Sequence, residues 1–134
     1  MQKDYRNWHT KKRQINDIEQ RPFFHEREIW FCHLGENVGS EQDGKGEDFL
    51  RPIVIIRKFN KEIFWAVPLT KSKKQVTGTK AKYYFEFSFK KDVTSVAILS
   101  QIRLVDARRL DYTVGKIKEE GFKKLKEKLK ELLP

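Results

Sequence analysis

Hydrophobic and polar positions come in short alternating bursts through the middle of the chain and change to a helical rhythm at its end. The runs 28–34, 52–56, 63–67, 83–89 and 96–99 are rich in β-branched and aromatic residues and predict strands. Ile102 to Val105 extends the sheet. After Gly115, Phe122, Leu125, Leu129, Leu132 and Leu133 recur at helical spacing and form one stripe of an amphipathic helix with lysines on its back. Ahead of the strands, Ile15 and Ile18 are spaced for one helical face. Asp4 is placed to cap a helix running to about Glu19, and Pro22 closes the approach to the next element. The order helix, five or six strands, helix predicts a mainly β, α+β domain: a small curled antiparallel β-barrel capped by the last helix. Residues 1–25 read as a basic N-terminal helical arm and residues 26–134 as the barrel domain with its C-terminal helix.

Composition narrows the partners. The 134 residues make one domain, and with 38% hydrophobic and 13% aromatic residues the chain is too apolar to be disordered. A formal net charge of +10 favours polyanions. The sign inverts locally: residues 36–48 carry Glu36, Glu41, Asp43, Glu47 and Asp48 against Lys45 alone, for a net −4. With Gly35, Gly39, Gly44 and Gly46, the stretch 35–50 predicts a long loop. The stretch 71–82, with Lys71, Lys73, Lys74, Lys80, Lys82 and Gly78, predicts a basic loop. The single cysteine excludes an internal disulfide or a cysteine-based zinc site. With neither a signal-peptide start nor an apolar run near the roughly 20 residues of a membrane span, the expected place is the cytoplasm, away from membranes.

A candidate site follows from the central hairpin. A two-residue turn at Asn60 and Lys61 pairs positions whose numbers sum to 121. Val54 then faces Val67, Ile56 faces Trp65 and Arg51 faces Thr70. Directly opposed residues project from the same side of a sheet, so the open end presents a guanidinium beside a hydroxyl. Lys71, Ser72 and Lys73 follow at once. A planar donor fork, one more hydrogen bond and a trail of lysines suit a phosphodiester. The same pattern also fits two ordinary surface residues at strand ends, and a three- or four-residue turn breaks the register. The other reactive residues read more plainly. His9, His25 and His33 have no spacing that joins them, and Cys32 reads as a small buried hydrophobe. The acids of 41–48 read as a solvated loop rather than a magnesium site, and Phe85, Phe87 and Phe89 as one wall of the core. No phosphate-cradling, GxSxG or HExxH motif is present, so neither metal nor cofactor is expected.

Five short segments, in order, resemble a known family. They are Arg27-Glu28-Ile29-Trp30; Gly39-Ser40-Glu41-Gln42; Arg51-Pro52 with the apolar run behind it; Val67-Pro68-Leu69-Thr70; and Leu99-Ser100-Gln101-Ile102-Arg103-Leu104-Val105-Asp106 with Arg109-Leu110. Together with the terminal amphipathic helix, they resemble the MazF/PemK toxins of bacterial type II toxin–antitoxin systems over about residues 26–133. The resemblance implies an SH3-like barrel, a homodimer, and a metal-independent, sequence-selective endoribonuclease acting on single-stranded RNA. It implies attack by the substrate 2′-hydroxyl, leaving a cyclic phosphate and a free 5′-hydroxyl. The family's Arg-Pro arginine aligns with Arg51 and the threonine of its Pro-x-Thr motif with Thr70, the pair reached from the hairpin. Ser40, Glu41 and Gln42 align with residues shaping the substrate groove. Glu41 is the expected base by its chemistry; Gln101, Lys71, Ser72 and Lys73 are expected to hold the strand. The expected protein partner is a cognate antitoxin with an acidic segment.

Three features depart from the family pattern. Asp43 to Leu50 lengthen the loop, and the first 25 residues lie outside it. The Arg and Asp that some members, such as Kid, carry before the Gln-x-Arg segment are replaced by Ile98 and Ser100. Two other readings remain at this stage: a non-catalytic protein of the same fold that inhibits a protein target, as the gyrase poison CcdB does, and a plain basic RNA-binding module.

Overall fold

Continuous apolar runs, buried on both faces, build the centre of the sheet. In the computed structural model, which describes residues 3–35, 49–71, 78–91 and 93–134, seven strands lie between two helices. The helices are α1 (Tyr5–Asn16) and α2 (Glu119–Lys130). The strands are β1 (Glu28–His33), β2 (Leu50–Lys58), β3 (Ile63–Lys71), β4 (Tyr84–Lys90), β5 (Val93–Ile98), β6 (Arg103–Asp106) and β7 (Leu110–Lys116). All pair antiparallel in the order β4-β5-β3-β2-β1-β7, with β6 also on β3. The architecture is thus mainly β with helices, as expected, with β7 as a strand beyond the expected five or six.

Strand β3 is shared along its length. Its first residues, Ile63 to Ala66, pair with β6, and its last, Leu69 to Lys71, with β5. A single 3-10 turn, Leu99–Gln101, carries the chain from β5 to β6. The sheet curls without closing: β4 and β7 do not pair, yet a Cβ on Gly115 of β7 would lie 3.2 Å from the Phe89 ring of β4.

The strand period of two sends successive β2 residues to two cores. Ile53 and Ile55 join Phe24, Trp30, Cys32, Phe64 and Val105, while Val54 and Ile56 join Ile29, Val67, Leu69 and Leu99. Helix α2 closes the second core with Phe122 and Leu125, and Leu129 and Leu132 pack along its edge. The predicted stripe ends there, since Leu133 is 67% exposed. Glu119 and Glu120 sit in the first turn of α2 and Lys128 and Lys130 in the last, the arrangement that complements a helix dipole. Lys128 Nζ also donates to the Tyr84 carbonyl of β4.

Helix α1 starts as expected, the Asp4 carboxylate accepting from the Asn7 N–H at 3.2 Å. It stops at Asn16 rather than near Glu19, so Ile18 falls beyond the helix and is 41% exposed. The buried face is carried instead by Trp8 and Ile15, two helical turns apart, which pack with Phe49. Polar contacts fasten the following segment. Arg21 forks onto Asp106 with two bonds of 3.0 Å. Arg108 grips the same carboxylate at 2.8 Å and donates to the Asn16 carbonyl at 3.0 Å. Burial opposes ionisation of Asp106, but hydrogen bonds from Arg108 and Arg21 override it and hold the carboxyl well below its ordinary range. No described helix is long and apolar enough to cross a membrane.

Candidate functional site

The hairpin reaches the expected register by an unexpected route. Ile53, Val54 and Ile55 face Pro68, Val67 and Ala66, but Arg57 rather than Ile56 faces Trp65, and Ile56 forms a bulge. The turn has three residues, Asn60, Lys61 and Glu62, closed by the Phe59 N–H on the Ile63 carbonyl at 3.2 Å. The Asn60 side chain accepts from the Glu62 and Ile63 N–H groups at 2.8 and 3.0 Å, an Asx turn. The extra turn residue on one side of Phe59 is offset by the extra strand residue on the other. The hairpin therefore returns to the frame of a two-residue turn up to its last paired rung, Ile53 with Pro68, and Arg51 and Thr70 each lie two residues beyond that rung.

Arg51 is only 9% exposed, and its Nη1 donates to the Leu69 carbonyl at 3.2 Å. That carbonyl belongs to the peptide joining Leu69 to Thr70, so the guanidinium lies against the Thr70 backbone. Thr70 is half-buried and faces Val96 of β5; the next residue, Lys71, is exposed and faces Ser95. Gln101 is half-buried in the 3-10 turn between β5 and β6, alongside the middle of β3 rather than at its end. Ser40, Glu41, Gln42, Ser72 and Lys73 lie outside the described residues.

On the other edge of β2, Arg51 pairs with Cys32 of β1. Burial pushes the Cys32 thiol up to about 12, against a weaker pull from Arg109 and Arg103, so the thiol stays protonated and is not a nucleophile near neutral pH. The histidines have separate surroundings. His25 is exposed and 3.5 Å from Glu28, and His33 is buried with Asp111 at 4.0 Å. His9 is exposed on α1. Among the described residues, no three His, Cys, Asp or Glu side chains gather as a metal site. Phe85, Phe87 and Phe89 follow one another along β4 at centroid spacings of 6.1 Å and pack against the core under α2, as expected.

Two residues that the sequence reading missed frame the site from behind. Phe49, directly before β2, has φ +56°, a left-handed conformation that costs a bulky residue about 1–2 kcal/mol. Its carbonyl accepts from the Leu34 and Gly35 N–H groups at 3.0 and 3.2 Å, and its ring meets Trp8 of α1 at 5.3 Å. Trp8 also lies over Gly35, whose φ of +75° and lack of a side chain admit it: a Cβ there would be 1.9 Å from the indole. The helix thus touches both residues that bracket 36–48. Spacing held the signal, since Trp8 and Ile15 are seven apart.

A small curled antiparallel sheet with a capping C-terminal helix, and an arginine and threonine at the open end of its central hairpin, define the class. The sequence model of the PemK-like, MazF-like toxins of type II toxin–antitoxin systems matches residues 25–133, and the chain belongs to that family. Solved structures agree on the fold. MazF from Deinococcus radiodurans (Form-I) is 16% identical, with a TM-score of 0.62 over 85% of this chain and 97% of its own. An endoribonuclease in complex with its cognate antitoxin, from a mycobacterial species, is 14% identical, with a TM-score of 0.58 over 84% and 98%. The Mycobacterium tuberculosis toxin MazF-mt6 is 14% identical, with a TM-score of 0.56 over 78% and 94%. No curated protein sequence matches the chain.

Proposed function

We propose that this toxin is a metal-independent endoribonuclease that cuts single-stranded RNA at selected sequences. The observation that carries the reading is the buried Arg51 guanidinium held against the Leu69–Thr70 peptide. A guanidinium stays charged when buried, because its ordinary pKa is above about 12. It is therefore a fixed cation where negative charge accumulates on phosphorus.

In the reaction, the substrate 2′-oxygen forms a bond to the adjacent phosphorus while the bond to the 5′-oxygen breaks. The 2′-hydroxyl proton passes to a base, for which Glu41 is the choice by chemistry, and a proton returns to the departing 5′-oxygen. The products are a 2′,3′-cyclic phosphate and a free 5′-hydroxyl. Arg51 neutralises the pentacoordinate phosphorane, and the Thr70 hydroxyl bonds the same phosphate and holds it in line. Lys71, Ser72 and Lys73 guide the backbone, and Ser40, Gln42 and Gln101 contact the strand.

The reading extends to assembly. Trp65 and Leu104 are register partners on β3 and β6, 42% and 54% exposed, and Phe59 packs edge-on against Trp65. Such an apolar patch on the outer face suits a second copy of the chain. A cognate antitoxin with an acidic segment suits the net charge of +10.

Arg51→Ala is expected to lower the cleavage rate by about 10²–10³-fold on a single-stranded RNA panel in the presence of chelator. Unchanged cleavage by that variant refutes the assignment. Wild-type products without cyclic-phosphate ends refute the reaction.

A further inference from the structure

The cleft between α1 and the turn that joins β6 to β7 has a chemistry of its own. It encloses about 380 Å³ and is lined by Lys12 and Arg13 of α1 and by Asp106, Arg108 and Arg109 of the turn, with Ile15 as its apolar floor. Four of these side chains are cations and one is an anion. The anion is spent, since Asp106 is gripped by Arg21 and Arg108. Among the described residues, neither Lys12 nor Arg13 nor Arg109 has a carboxylate within ion-pair distance.

The turn's cations are built in rather than splayed into solvent. Arg108 is fixed on Asp106 and on the Asn16 carbonyl. Arg109 Nη1 donates to the His33 carbonyl at 3.2 Å, and its guanidinium lies 5.5 Å from the centre of the Trp8 ring. Burial, reinforced by Arg103 and only partly opposed by Cys32 and Asp106, lowers the pKa of Arg109. An anion entering this cleft would find charge already in place.

The cleft also has a position. His33, whose carbonyl Arg109 holds, pairs with Leu50, the residue before Arg51. The helix that supplies half the cleft precedes the family match, which begins at residue 25.

We infer that the α1–β6/β7 cleft is a second binding site for the sugar-phosphate backbone of RNA, holding the strand beyond the nucleotides at Arg51. The inference rests on the proposed RNA substrate. An acidic polypeptide is the competing ligand, but a segment that folds on binding needs apolar side chains to pack against, and Ile15, itself buried, is the one apolar residue of the lining. Backbone contacts hold a strand without reading its bases, so the cleft lengthens the footprint and leaves the cut sequence unchanged.

The test uses 2′-O-methyl RNA, which cannot react, as a hexamer and as a 20-mer, together with poly-glutamate, against wild type and Lys12→Glu/Arg13→Glu. Both residues are exposed, so the helix is expected to persist, and circular dichroism checks it. The 20-mer should bind the variant roughly tenfold more weakly at 0.1 M salt, with a log-affinity against log-salt slope shallower by about 1.4, or about 0.7 for each lost phosphate contact. The hexamer should bind unchanged. Lys12→Gln/Arg13→Gln should fall between the two proteins. Equal affinity of variant and wild type for the 20-mer, equal weakening of both RNAs, or loss of poly-glutamate binding with RNA binding intact each overturns the inference. The outcome is separable from the cleavage reading. A wild type that cuts no RNA yet holds the 20-mer through Lys12 and Arg13 defeats the reaction and keeps the cleft. One that cuts RNA while the variant binds normally keeps the reaction and defeats the cleft.

Discussion

The two helices have the same length, 12 residues each, and opposite relations to the sheet. Helix α2 drives Phe122 and Leu125 into the core beneath the curl. Helix α1 lies outside the curl and is fastened at a few points: Trp8 and Ile15 with Phe49, and the Asn16 carbonyl with Arg108. One is a structural member of the curled sheet and the other a fitting attached to it. Sequence length and amphipathicity do not distinguish such roles; what each apolar face finds to cover does.

Substitutions should separate the two. Leu125→Ala leaves a hole in a fully buried position and is expected to cost about 2–5 kcal/mol of global stability by denaturant unfolding, lowering hydrogen-exchange protection across the whole sheet. A loss confined to α2 would make the helices alike and break the comparison. Gly35→Ala is expected to cost about 1–3 kcal/mol, because its methyl group meets the Trp8 indole and its φ is positive. That loss should appear as faster exchange in α1, with the β1, β2 and β3 amides unaffected. Asp106→Asn should act more gently and through pH. The folded-state pKa of Asp106 is depressed, so its stabilisation is complete above the unfolded value of about 3.9 and is lost as pH falls below it toward the folded value. Wild-type α1 should loosen in that acid range, and the variant should lack that part of the pH dependence. An identical acid profile for both proteins would remove Asp106 from the attachment.

Local pattern sufficed where burial is strong and neighbours are close in sequence. The continuous apolar runs Ile53–Ile56 and Ile63–Val67 specified the central hairpin, and the stripe from Phe122 to Leu132 specified α2. Strand β7 escaped because only its first residue is buried; it is a strand by virtue of pairing with β1, more than 70 residues away in sequence at every rung. Helix α1 was placed, but its face was misassigned, since Ile18 lies past a helix that ends at Asn16. The hairpin arithmetic put Arg51 beside Thr70 from a two-residue turn; the turn has three residues, the Ile56 bulge offsets the third, and Arg51 bonds the Leu69 carbonyl next to Thr70. The grip of Arg21 and Arg108 on Asp106 was not, because Arg21 lies 85 residues from its partner and neither end carries a sequence signal.

The surplus residue in the Asn60–Glu62 turn and the surplus residue at Ile56 have to be counted together. A hairpin closed by the same three-residue turn with no bulge would slip by one: Val54 would meet Pro68 in place of Val67, and because side chains change walls at every step, the β2 residues beyond Ile56 would meet residues that now belong to the other wall. The kink at Ile56 thus works as a vernier, taking up on one strand the residue that the turn adds beside the other.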